Sequence, residues 1–165
     1  MAVVAFVTLA PTPVRASGLQ GIISTAAGGM SGIVPALSSN IFPLGLARDA
    51  RGDVYVADMG DNIVRRVDAS GNITTVAGDD SLGFSGDGGP AVAAQLQAPQ
   101  GVDLDPTGNI LYIADSSNNR VRRVDLASGV ITTFAGGGSA ATGVNTTGNE
   151  PATSATLSSP QRVAV

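Results

Sequence analysis

The order of residues from Pro99 to Gly136, PQGVDLDPTGNILYIADSSNNRVRRVDLASGVITTFAG, appears first in a sister copy from Pro43 to Gly78. Tyr55 matches Tyr112, Asp58 matches Asp115, Asn62 matches Asn119, Arg65 and Arg66 match Arg122 and Arg123, and Asp68 matches Asp125. A chain that repeats itself this way must make one supersecondary unit twice and bury each unit against its neighbour. A spacing of about 57 residues filled with short apolar runs is that of a propeller or an array.

Each copy reads as four strands. The first copy places them at Leu44 to Arg48, Val54 to Ala57, Ile63 to Val67 and Ile73 to Ala77. The second places them at Gly101 to Leu104, Ile110 to Ala114, Arg120 to Asp125 and Val130 to Ala135. The turns between them, Asp-Ala-Arg-Gly, Asp-Pro-Thr-Gly and Ala-Ser-Gly, are hairpin chemistry, so each copy is an antiparallel meander. Apolar and polar residues do not alternate cleanly, which suits a sheet covered on both faces by neighbouring sheets. The fold class is therefore all-β: a propeller of four-stranded antiparallel blades, here two complete blades with flanking strands. Tyr55 and Tyr112, with Val67 and Val124, are expected at equivalent packed positions.

The chain divides accordingly. Residues 1–16 hold an apolar run, Ala2 to Ala10, followed by small residues at cleavage-site spacing, and read as a signal peptide. An ordinary strand and a transit peptide are the competing readings of that run. Residues 17–41 hold a lone copy of the outer strand, Ile22 to Ala27, and a loop; 42–98 and 99–159 are the two blades with their loops. Residues 160–165 start a further repeat, so the chain reads as a partial propeller from a longer protein, with exposed blade faces prone to associate. The connections Asp79 to Ala98 and Gly137 to Ser159 are long and rich in small polar residues, the signature of functional or loosely ordered loops. Asp79, Asp80 and Asp87 could offer oxygens to a cation, but a flexible polar loop is the simpler reading.

Charge excludes more than it suggests. The net charge is −4, and all nine basic residues are arginines, so the clustered cations that displace counterions from phosphates are lacking; no nucleic-acid partner is expected. No stretch is long enough to span a bilayer as a helix. Histidine, cysteine and lysine are absent, which removes Ser-His-Asp, Cys-His and Schiff-base chemistry as well as a histidine-held zinc. No catalytic set, metal set or cofactor is assigned. Asp58 and Asp115 read as structural turn residues. The charged candidates for a partner are Arg65, Arg66, Arg122 and Arg123, although pairing with cross-strand aspartates competes for them.

The quoted repeat resembles the NHL-repeat family of β-propellers. The strand Thr75 to Gly78 followed by the loop Gly83 to Ala91, GFSGDGGPA, resembles the secreted bacterial, algal and teneurin-like versions. The second copy departs from that loop after Gly136. The repeat, its long loops and the lack of a catalytic set point to a non-catalytic module that binds a protein or a glycan outside the cytoplasm, a reading left open by the resemblance, which implies a fold more than a function. The alternative it leaves is a six-bladed hydrolase or lyase whose active residues lie outside this chain.

Overall fold

A computed structural model describes residues 42–138 and 151–165. The leader and the strand expected at Ile22 to Ala27 lie outside the described residues. Among the described residues, eight strands form two separate four-stranded sheets. The first blade contains β1 (Pro43–Arg48), β2 (Val54–Asp58), β3 (Ile63–Val67) and β4 (Ile73–Ala77), paired in sequence order. The second contains β5 (Pro99–Leu104), β6 (Ile110–Asp115), β7 (Arg120–Asp125) and β8 (Val130–Gly136) in the same order. Every pairing is antiparallel, and the register of Tyr55 opposite Arg66 is that of Tyr112 opposite Arg123.

Aspartates set the turns. Asp49 accepts the amides of Arg51 and Asp53 between β1 and β2, and Asp105 accepts those of Thr107, Asn109 and Ile110 between β5 and β6. Asp68 and Asp125 close the β3–β4 and β7–β8 turns in the same way. A short acidic side chain that takes its own turn's amides stabilises the reversal locally, which explains the recurrence of Asp there.

Pleating gives each blade two faces, and the core lies where unlike faces meet. From the first blade come Ala47, Tyr55, Ala57, Val64 and Ala77; from the second come Val102, Leu104, Leu111, Ile113, Val124 and Ile131. Leu111, Ile113 and Ile131 have no exposed surface, and full burial of such a side chain contributes about 1.5–3 kcal/mol. Tyr55 is buried but Tyr112 is only half-buried, because Tyr112 lies on the second blade's opposite face; there it meets Phe134 edge-on, with ring centroids 5.0 Å apart. Equivalent sequence positions thus differ in burial. Phe42, Leu44 and Leu46 remain exposed on the first blade and Phe134 on the second.

The innermost strands touch through glycine. A Cβ on Gly45 would lie 2.7 Å from the Cα of Gly101, and a Cβ on Gly101 would lie 2.8 Å from the Cα of Arg162. Residues 161 and 162 therefore approach the second blade as β5 approaches the first, although the 155–165 segment forms no strand here. Among the described residues no helix is long and apolar enough to cross a membrane.

Candidate functional site

The polar residues that repeat with the strands gather in one cluster on each blade. Asp58 and Asp115 end β2 and β6 with no exposed surface. Their backbone-amide partners lie outside their own hairpin turns, although Asp115 also accepts the Asn118 side chain within its turn at 2.9 Å. Asp58 accepts the Phe42 amide at 3.2 Å and the Arg65 Nε at 2.9 Å; Asp115 accepts the Gln97 amide at 2.8 Å and lies 3.4 Å from Arg122 Nη1. Each carboxylate thus ties the segment entering its blade to the third strand of that blade. Burial pushes the Asp115 carboxyl up, and the Gln97 amide, the Asn118 side chain and Arg122 pull it back.

The four arginines occupy different environments. Arg65 is paired with Asp58 and, at 2.6 Å, with Asp61. Arg66 pairs with Asp53, and that bond holds its guanidinium more firmly protonated. Arg122 has no exposed surface: its Nη2 donates to Asp87 at 2.8 Å and to the Ser85 carbonyl at 3.0 Å, and its Nη1 donates to the Gln95 carbonyl at 3.4 Å. Its Nε is buried without a partner. Arg123 is half-buried and makes no ion pair among the described residues, because the second blade has Ile110 where the first has Asp53. The repeat therefore brings Arg65 and Arg122 to equivalent interior positions and does not assemble the four into one charged rim.

The loop after β4 is not the loose polar connection its composition suggests. Gly88 and Gly89 exchange backbone hydrogen bonds with Ile131, and Ala91 donates to Gly129, so the loop adds to the outer edge of β8. Asp87 reaches Thr133 Oγ1 at 2.6 Å as well as Arg122. Phe84 lies under Arg120 and Arg122, whose guanidinium carbons are 3.9 and 4.9 Å from the ring centroid. These contacts account for the GFSGDGG motif: its aromatic ring and carboxylate hold the buried guanidinium, and Gly86 approaches Ala94 too closely for a side chain. Glycine and serine content looked like flexibility because a one-dimensional reading cannot show a carboxylate meeting an arginine 35 residues further on.

A cleft of about 530 Å³ opens where the β1–β2 and β5–β6 turns meet, lined by Arg48, Arg51, Asp103, Asp105, Thr107 and Asn109 among others. Sequence reasoning did not single out Arg48 and Arg51. The available signal was positional: both arginines flank a turn aspartate. Asp49 and Asp105 spend their oxygens on the turns, and Asp103 accepts the amides of Leu104 and Val165. Arg48 is exposed and makes no ion pair among the described residues, while Arg51 is largely exposed and only loosely paired with Asp49 at 3.4 Å.

Two four-stranded meanders stacked face to face around adjoining first strands are blades of a β-propeller. Residues 96–124 match the NHL repeat. It is 32% identical over 123 residues to NHL repeat-containing protein 2 of Bos taurus, covering 66% of this chain and 17% of that protein. The human protein of that name is 34% identical over 91 residues, covering 52% of this chain and 12% of its own length. Among solved structures, a protein of unknown function from Bacteroides thetaiotaomicron superposes with a TM-score of 0.55 at 21% identity, over 69% of this chain and 27% of that one. An auxiliary nutrient binding protein from the same species gives 0.54 at 20%, over 71% and 31%. At these identities the likeness to solved structures extends to the fold.

Proposed function

We propose that this chain is a non-catalytic NHL-repeat propeller module that binds a protein or a glycan, acting outside the cytoplasm as part of a longer chain. The observation that carries this reading is the division of polar residues. Asp58, Arg65, Asn62 and their counterparts Asp115, Arg122 and Asn119 are engaged within and between blades. The turn end, by contrast, presents Arg48 and Arg51 beside an open cleft of ligand size. Exported character is supported by the apolar run Ala2 to Ala10 and by the likeness of GFSGDGGPA to secreted, teneurin-like NHL loops.

The test presents the 165-residue chain and its parent protein to a glycan array and to extracellular protein extracts, with lactone and ester hydrolysis assayed in parallel with and without Ca²⁺. Saturable binding without turnover supports the module; turnover without binding sinks it in favour of a propeller hydrolase or lyase. Expression in a secreting host should give a mature N-terminus near Ser17, and an intact Met1 on exported protein would remove the leader. Association through the exposed Phe42, Leu44 and Leu46 face should appear as oligomers in size-exclusion chromatography.

A further inference from the structure

We infer that the cleft between the β1–β2 and β5–β6 turns is a site for a carboxylate-bearing saccharide, such as a uronate oligomer, gripped by Arg48 and Arg51. This deepens the binding reading above and rests on it. The free hydrogen-bonding capacity of the cleft is dominated by donors. Asp49 accepts two turn amides and the Arg51 Nε. Asp105 accepts three amides and the Thr107 hydroxyl, and Asp103 accepts the amides of Leu104 and Val165. All three carboxylates are therefore held by backbone amides, those of Asp49 and Asp105 within their turns and that of Asp103 on its own strand and on Val165. Among the described residues, the Arg48 guanidinium fork has no partner, and Arg51, with a side chain 73% exposed, has none for its terminal nitrogens.

A guanidinium fork matches a carboxylate in two parallel hydrogen bonds, and that geometry favours a planar carboxylate over a spherical anion. The rest of the lining argues for a sugar over a peptide. Gly108 offers backbone groups and Asn109 keeps its amide oxygen after its Nδ2 bonds the Thr107 hydroxyl, whereas of the apolar residues there Leu104 is buried in the core and Pro106 is a small surface ring. A peptide would find no apolar pocket for an anchor. Asp49, Asp103 and Asp105 outnumber the two arginines in the lining, so the grip rests on the directional guanidinium–carboxylate bonds rather than on net attraction.

Isothermal titration of the full chain with tetragalacturonate, with the neutral galactose tetramer and with inorganic phosphate tests the proposal. Tetragalacturonate should bind, and the neutral tetramer and phosphate should bind at least about tenfold more weakly, since a charge-assisted bidentate pair is lost. Arg48→Ala with Arg51→Ala should lower tetragalacturonate affinity by at least about tenfold with an unchanged melting temperature, because both side chains are exposed. Arg123→Ala, on the opposite face of its sheet from the buried Arg122, should change nothing. Equal binding of neutral and acidic tetramers overturns the carboxylate assignment while leaving a glycan module standing. Tetragalacturonate binding that survives the double substitution overturns the site. Failure of every saccharide, with a protein captured from the extracts, overturns the inference and leaves the module a protein binder.

Discussion

The side-chain oxygen of Asn62 accepts the amide of Ala98 at 3.0 Å, across 36 residues and from one blade to the entry of the next. The second blade repeats the contact: Asn119 accepts the amide of Ser159 at 2.9 Å. All four residues have positive φ, 55° and 48° in the first pair and 54° and 43° in the second. Asparagine is among the few residues that enter this region readily, and its carbonyl is short enough to serve as the acceptor once there. Asn62→Ala should therefore destabilise the chain by about 1–3 kcal/mol, from the orphaned amide and the strained backbone together. Urea unfolding should show a lower midpoint with an unchanged slope, and hydrogen exchange should quicken at Ala98.

Gly45 and Gly101 permit the close approach of neighbouring first strands. A Cβ at Gly45 would clash with the Gln100 carbonyl and sit 2.7 Å from the Gly101 Cα, so backbone has to move. Gly45→Ala should cost about 1–3 kcal/mol or more by overpacking. Gly129→Ala probes a contrasting case, because nothing lies within 4 Å of the added carbon and only its φ of +72° opposes the change. Thermal melts of the two variants should rank Gly45→Ala as the more damaging; the reverse order would mean the blades do not pack through glycine.

Arg122 and Asp87 should be coupled. Arg122→Met removes the buried cation and leaves Asp115 without its guanidinium, at a cost of about 3–5 kcal/mol. Asp87→Ala leaves Arg122 one carboxylate and frees the loop from Thr133. A double-mutant cycle measured by denaturant unfolding should return an interaction energy of about 0.5–3 kcal/mol. Additive losses would show that the loop sits on β8 without the ion pair.

The strands were legible in the sequence because two copies constrained each other: β3, β4 and β7 fall at the expected residues, and the others extend by one or two. Hairpin turns were legible for the same reason that they form, since Asp closes them through local amides. The burial of Arg122 was not legible. Arginine and aspartate recur in both copies, but in the first blade Asp61 supplies the second carboxylate from the blade's own turn, whereas in the second Asn118 stands at that position and Asp87 comes from the preceding loop. The exposure of Tyr112 depends on what covers a face, which a repeat pattern does not encode. The cleft was missed because Arg48 and Arg51 have no counterparts in the second copy, so repetition gave them no weight.

Acid should unfold the chain through its turns. Asp68, Asp105 and Asp125 are held below the ordinary aspartate value of 3.8. The leading cause is the Asn72 side chain for Asp68, the Thr107 hydroxyl for Asp105 and the Ser128 amide for Asp125. A carboxyl whose folded value lies below its unfolded value stabilises the fold fully above the unfolded value, and the contribution is lost as pH falls through the folded one. Stability set by these three groups should therefore be level above about pH 5 and decline below about pH 4. Asp115 acts in the opposite sense, because its raised value makes the protonated form the better tolerated one in the fold; its contribution grows as pH falls from its folded value towards 3.8. The three turn aspartates should prevail, since each serves its turn through several hydrogen bonds to the charged form. Melting temperatures measured from pH 2 to pH 6 should thus fall on the acid side, and Asp105→Asn should lower the plateau while flattening the decline. A melting temperature that rises steadily with acid would mean that the buried Asp115 governs the pH response and that the turn carboxylates contribute little.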